Sequence, residues 1–417
     1  MFAYRDGVLC AEEVSLEEIA RRFGTPCYVY SRAVIERNFG QFAQSLAGRP
    51  ALIAYSVKAN SNLAVLALMA RLGAGFDIVS GGELARVLAA GGDPRKVVFS
   101  GVGKTEAEIE RALRAGILCL NLESEAELER VDAVAARLGV RAPVAFRVNP
   151  DVDPKTHKYI STGLAQNKFG VPYGEAERLC RDAARCRSIE LVGIGCHIGS
   201  MMTDAAPFAA AAERIGMLAA RLESAGVRLS HIDLGGGFGI RYRDEAPAPV
   251  AEFIRAALAA LAALGGRKEA LILDPGRAIV GEAGVLLARI EYVKPGEARN
   301  FVVVDAAMND LIRPALYDAW HEVRPVRETE SGATTGVYDV VGPVCESADF
   351  LARERKLAAR PGGLLAVMTA GAYGMVMSSN YNTRPRAAEV MVSGAEAWLV
   401  RERETVEQLF SSERVLP

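Results

Sequence analysis

Lys58 closes the apolar run Ala51–Val57. A lysine amine at the end of a buried strand, partly desolvated and near other charges, is the group that adds to carbonyl carbons. Taken alone, a solvated lysine in a strand-to-helix loop is the plainer reading. Other apolar runs also end in polar residues: Asp77 and Ser80, Arg147 and Asn149, His197 and Ser200. His197 stands among glycines that let a ligand approach closely, although a buried structural histidine fits that position too. Two later runs end in Gly235-Gly236-Gly237-Phe238-Gly239 and in Asp274-Pro275-Gly276-Arg277. Glycine-rich backbone can turn several N–H groups toward phosphate oxygens, and an arginine adds charge. An amine, a phosphate cradle and a carboxylate together suit pyridoxal 5′-phosphate, with the carboxylate on the pyridine nitrogen. On these residues alone a phosphosugar aldolase competes.

The elements that must position them alternate. Between Ala51 and Gly276 eight apolar runs (Ala51–Val57, Gly75–Ser80, Val97–Gly101, Ile117–Leu122, Pro143–Val148, Leu191–His197, His231–Leu234 and Ala270–Leu273) are separated by stretches with helical spacing, such as Ala64–Leu72 and Lys104–Ala115. Eight such units predict an α/β chain, a (β/α)8 TIM-type barrel rather than the competing open doubly wound sheet, with the active site at the C-terminal ends of the strands. After about Val280 the runs Val285–Val293, Asn300–Val304, Thr335–Val341, Gly363–Thr369, Ala388–Val392 and Ala397–Val400 lie between Gly, Pro and polar turns, which predicts an antiparallel β domain. The expected division is a barrel over 31–280 and a β domain over 281–417, with residues 1–30 pairing into the latter through Pro26–Tyr30.

Half of the 417 residues are hydrophobic, enough for large cores, and the formal net charge of −2 with only short charge runs such as Arg353–Lys356 excludes an electrostatic footprint for nucleic acid or an anionic membrane. The N-terminus lacks the basic start and apolar run of a signal peptide, so the expected location is cytoplasmic. Seven scattered cysteines without a CxxC pair argue against a disulfide framework and a zinc cage; no metal is expected, and six of them read as buried small hydrophobes. The expected partners are a small molecule and a second copy of the chain.

Several longer segments carry a resemblance. Tyr55–Asn60 (YSVKAN), His197–Ser200 (HIGS), Gly235–Gly239 and Pro275–Arg277 resemble the fold type III pyridoxal-phosphate decarboxylases, which pair an alanine-racemase-like barrel with a β domain. His157–Gly163, Lys168–Gly170, Met308–Tyr317, Gly342–Ser347 (GPVCES), Gly371–Gly374 and Tyr381–Glu389 are similar to the branch of that family acting on diaminopimelate. The likeness runs from about Gly24 to Val392. It implies decarboxylation of meso-2,6-diaminopimelate to L-lysine and CO2, the last step of lysine biosynthesis, with pyridoxal 5′-phosphate as cofactor. It further implies that Lys58 carries the cofactor, that His197 stacks on the ring, and that Asp274 meets the ring nitrogen; Asp77, ending the second run on the same rim, is a further cofactor-binding candidate. Ser200, Gly235, Gly236, Gly237, Gly276 and Tyr373 are implied for the phosphate. Arg277, Arg313, Tyr317, Glu346 and Tyr373 are implied for the substrate, and Cys345 as a proton donor reaching across a homodimer interface. Two positions depart from the family: Asp274 replaces the usual glutamate, so contact with the ring nitrogen needs a backbone shift or a water, and Met201 stands where glutamine is common.

Three competing readings remain at this level. Decarboxylases of ornithine, arginine or a carboxylated polyamine precursor act on substrates that mostly lack a distal carboxylate, which makes the two-arginine grip the discriminating feature; a racemase would show a catalytic tyrosine from the second domain, and a non-catalytic pyridoxal-phosphate carrier is usually only the barrel.

Overall fold

Each barrel strand is short and apolar because helices cover one of its faces and the barrel interior the other. The computed structural model describes residues 1–153, 168–265, 268–328 and 332–417, so His157–Gly163 lies outside the described residues. The chain folds as two units: Phe39–Ile240 with Glu245–Ala278, and Met1–Asn38 with Arg241–Asp244 and Ile279–Pro417.

In the first unit eight parallel strands follow in order: Ala51–Ser56, Gly75–Ile78, Val97–Phe99, Cys119–Leu122, Ala142–Asn149, Ile189–Gly195, His231–Asp233 and Ala270–Leu273. The last pairs with the first, and Ala142–Asn149 pairs with both of its neighbours, so the sheet closes into a barrel. Its interior holds small apolar side chains, among them Ala54, Val98, Cys119, Ala145 and Ile272. The helices start where side chains can satisfy their first N–H groups. Ser80 accepts from Glu83 N, Ser124 from Glu127 N, and Thr105 forms a reciprocal box with Glu108. Ser80 therefore serves as a helix cap.

The second unit holds a nine-stranded sheet whose longest strand, Gly284–Lys294, pairs antiparallel with Cys27–Ser31, Asn300–Val304 and Leu364–Val367. The sheet is mostly antiparallel, but Cys27–Ser31 runs parallel to Ala388–Ser393, and Asn300–Val304 parallel to Thr334–Val341. The expected antiparallel β domain is present, and its two parallel pairs are joined by long connections, which allow either direction. A three-stranded meander over residues 2–15 and the helix Leu16–Phe23 precede it, with Ser15 capping that helix. Among the described residues no helix is long and apolar enough to cross a membrane. Cys10, Cys27, Cys119, Cys180 and Cys196 are buried, whereas Cys186 is only half-buried and Cys345 is exposed.

Candidate active site

The C-terminal rim of the barrel gathers the polar strand ends around a cavity of about 480 Å3 lined by Lys58, Asp77, Arg147, His197, Asp233 and Asp274 among others. Lys58 sits in a single tight turn, Val57–Ala59, directly after the first strand. Its Nζ lies 2.7 Å from Asp77 Oδ2. Ser56, paired in register with Asp77 on the neighbouring strand, donates from Oγ to the same carboxylate at 3.2 Å. Burial pushes the Asp77 carboxyl up, but the Lys58 ammonium and its hydrogen bond outweigh that and hold it below its ordinary value. At neutral pH Asp77 is an anion that fixes the lysine's position.

The glycine loop follows the seventh strand. Gly237 has φ +88°, and a side-chain carbon there would collide with the Gly199 carbonyl oxygen. Any carbon added at Gly236 would meet the Asp274 backbone and Oδ1. Only glycine fits these two positions, so the loop can pack this closely against Gly199 and Asp274. Gly236 N donates to His197 Nδ1 at 3.2 Å, so Nδ1 carries the lone pair and the ring is fixed beside the loop. Arg277 Nη2 lies 3.4 Å from Ser200 Oγ.

Asp274 is buried at 9% exposure, and its Oδ1 has no hydrogen-bond partner among the described residues. His197 Nδ1, 3.7 Å away, is too far to serve as one. An acceptor left this way is costly unless a bound group completes it, and a protonated pyridine nitrogen would do so. The amine, the unfilled acceptor and the glycine cradle are what pyridoxal phosphate requires.

Several residues of this site carry little signal in the sequence. Ser56 Oγ also lies 2.8 Å from the Asp274 carbonyl, so its single proton is shared between that carbonyl and Asp77, tying the first strand to the eighth. Glu123 accepts from Arg147 at 3.2 Å, from Gly101 N at 3.2 Å and from Gly170 N at 2.6 Å, so it anchors three loops of the rim. Glu83 is pushed up to about 7, chiefly by burial, with the Asp77 charge adding to the shift.

Asp233 lies in the cavity wall at 5% exposure, its Oδ1 accepting from Gly235 N at 2.8 Å. Burial, reinforced by the Asp274 charge, pushes its carboxyl well above the ordinary range, so the fold disfavours its charged form. The unfolded chain releases that proton near pH 4, so this residue's contribution to stability is complete below pH 4 and shrinks as pH rises. Asparagine keeps the Gly235 contact without the titration. Asp233→Asn is therefore expected to melt like the parent at about pH 4 and above it toward neutrality, the gap widening by up to about 1.4 kcal/mol per pH unit. A thermal-unfolding series across pH reads this directly, and a gap that stays flat would contradict the raised carboxyl.

The other predicted site residues belong to the second unit. Arg313 is buried at the start of the helix Arg313–Tyr317, whereas Tyr317 is exposed, so the two do not form a surface pair. Cys345 and Glu346 are exposed, and Tyr373 is half-buried with φ +55°.

A lysine amine, its buried carboxylate and a glycine cradle on a barrel rim define a barrel enzyme of the pyridoxal-phosphate class. Residues 32–281 match the family described as "Pyridoxal-dependent decarboxylase, pyridoxal binding domain". The chain is 58% identical to the diaminopimelate decarboxylase of Pseudomonas aeruginosa, over 100% of this chain and 99% of that protein. Its fold is similar to the crystal structure of diaminopimelate decarboxylase from Helicobacter pylori complexed with L-lysine (TM-score 0.92, 40% identity, 96% of this chain and 99% of that one). It is also similar to the M. jannaschii diaminopimelate decarboxylase in co-complex with L-lysine (TM-score 0.95, 36% identity, 100% of this chain and 98% of that one). The chain belongs to the diaminopimelate decarboxylase family.

Proposed function

We infer that this protein decarboxylates meso-2,6-diaminopimelate to L-lysine and CO2 at the barrel rim, as the last step of lysine biosynthesis. The observation that carries this reading is the Lys58–Asp77 pair at 2.7 Å in the same cavity wall as Asp274, whose buried Oδ1 awaits a donor. When bound, pyridoxal phosphate supplies an electron-withdrawing ring that accepts the electron pair left by the departing carboxylate.

The chain's own residues bind, orient and move protons. Lys58 supplies the amine that holds the cofactor's carbonyl carbon, and Asp77 keeps that amine in place. Asp274 would pair with the ring nitrogen and His197 would stack on the ring. Ser200, Gly235, Gly236, Gly237, Gly276 and Tyr373 hold the phosphate. Arg277, Arg313 and Tyr317 take the carboxylate at the non-reacting end of the substrate, and Glu346 takes its ammonium, because planar guanidinium groups match a carboxylate and a carboxylate matches an ammonium. Cys345 delivers a proton to the carbon that has lost CO2. Cys345 and Glu346 are exposed in the single chain, which suits delivery into the site of a second copy in a homodimer. We place the enzyme in the cytoplasm, where amino-acid biosynthesis supplies its substrate.

A side-by-side assay of CO2 release tests the substrate. Diaminopimelate should be turned over with a kcat/KM at least about 10³-fold above ornithine or arginine, because a site built for a second carboxylate leaves buried cations unpaired with substrates lacking one. Comparable rates on ornithine would overturn the assignment.

A further inference from the structure

We propose that His321 is a positioning residue for recognition of the distal carboxylate: it holds the Arg313 guanidinium in the orientation that accepts that group. The proposal rests on the reading that Arg313 grips the distal carboxylate. His321 is fully buried, and both of its ring nitrogens are engaged. Nδ1 lies 2.8 Å from the Met368 carbonyl oxygen, and Nε2 lies 2.9 Å from Arg313 Nη1. A carbonyl only accepts, so Nδ1 carries the proton. A guanidinium only donates, so Nε2 offers its lone pair to Arg313. The Met368 carbonyl thus sets the tautomer that makes His321 an acceptor, as an outer partner fixes a histidine that itself holds a ligand.

Tyr242 braces the same pair. Its ring centroid is 4.8 Å from Arg313 Cζ, and the ring meets His321 edge to face at 5.3 Å and 83°. The guanidinium is therefore fixed by an aromatic ring and by an acceptor on one of its N–H bonds. Bidentate pairing with a carboxylate depends on the plane of the fork. Without the imidazole the arginine keeps its charge and its stacking on Tyr242 but loses the acceptor that helps set the plane of its fork.

The test compares His321→Ala, His321→Gln, His321→Asn and Arg313→Ala as holoenzymes. It uses two inhibitors: L-lysine, which retains the distal carboxylate, and 1,5-diaminopentane, which has none. His321→Ala should raise the KM for diaminopimelate and the inhibition constant of L-lysine by about tenfold or more, the scale of a hydrogen bond to a charged group. Its kcat, its visible cofactor absorbance and its inhibition by 1,5-diaminopentane should stay near the parent values. Gln can place an accepting oxygen near Nε2, whereas the shorter Asn can replace only the donor at Nδ1. The Gln variant should therefore recover most of the affinity and Asn little, a comparison that stands even where the Ala variant fails to fold. Equal KM values for Gln and Asn, or parallel changes in kcat and in both inhibitors, would overturn the proposal. If Arg313→Ala leaves L-lysine inhibition intact, the reading of Arg313 itself fails; if only the arginine variant weakens it, the role of His321 alone fails.

Discussion

Lys58→Ala will lose both turnover and the visible absorbance of the bound cofactor, with activity down by at least about 10³-fold, or about 4 kcal/mol of barrel-rim chemistry. Among the described residues no other lysine lines the cavity, so no neighbouring amine can take over. The substitution also strands Asp77, a carboxylate at 1% exposure that loses its cation. A buried charge without its partner destabilises, but the Lys58 side chain is 38% exposed, so solvent screens the pair and the loss should be on the order of 1 kcal/mol. The sign with pH follows from the depressed Asp77 carboxyl. The pair's contribution is present above the ordinary carboxylate range and is lost as pH falls through the folded value, so parent and variant should converge in acid. Adding Asp77→Asn removes the stranded charge: the double variant should regain thermal stability at neutral pH without regaining turnover. Activity returning with stability would mean that the lysine matters only for folding; retained absorbance in Lys58→Ala would place the cofactor on another amine.

The barrel was legible because its strands are buried on both faces and read as unbroken apolar runs, while its helices begin at Ser80, Thr105 and Ser124, whose side chains cap them. All eight runs correspond to strands, the ends moving by a few residues where a run continues into a loop, as at Val97–Phe99. The second sheet was harder to read. Phe350–Ala359 was missed because Arg353–Lys356 place charges in its middle, and bulges against Thr334–Val341 break the alternation that marks a half-buried strand. Val323–Pro325 is three residues with a proline, too short to stand out from a turn. In the site, Lys58, Asp77, His197 and Asp274 were visible as polar ends of apolar runs. Glu123 was not, because its role needs strand register: Leu122 pairs with Phe146, which brings the next residues, Glu123 and Arg147, together. Asp233 lies inside the run His231–Leu234 and is not singled out by the sequence; only its burial beside Asp274 shows why its carboxyl is pushed up.

A heterodimer of one Lys58→Ala chain and one Cys345→Ala chain should recover about half the activity of the parent dimer, although each variant alone is nearly inactive. The loop that carries Cys345 is firmly built. Asp349, buried at 4% exposure, accepts from Val344 N at 2.8 Å and from Met308 N at 2.6 Å, and Cys345 N donates to Asn382 Oδ1 at 2.8 Å. A rigid loop that nevertheless exposes its thiol and the adjacent Glu346 is suited to presenting them to another surface, and two-fold symmetry makes any such delivery reciprocal. Cys345→Ala alone should slow kcat by about 10²–10⁴-fold, the usual contribution of a positioned proton donor, while cofactor absorbance stays intact. In the heterodimer one site combines an intact Lys58 with the partner's intact thiol, and the other has neither. Co-expression with two affinity tags isolates this species. If Cys345 serves the site of its own chain, each site lacks one essential group and the heterodimer stays inactive. Parental turnover by Cys345→Ala would instead remove the thiol from the reaction.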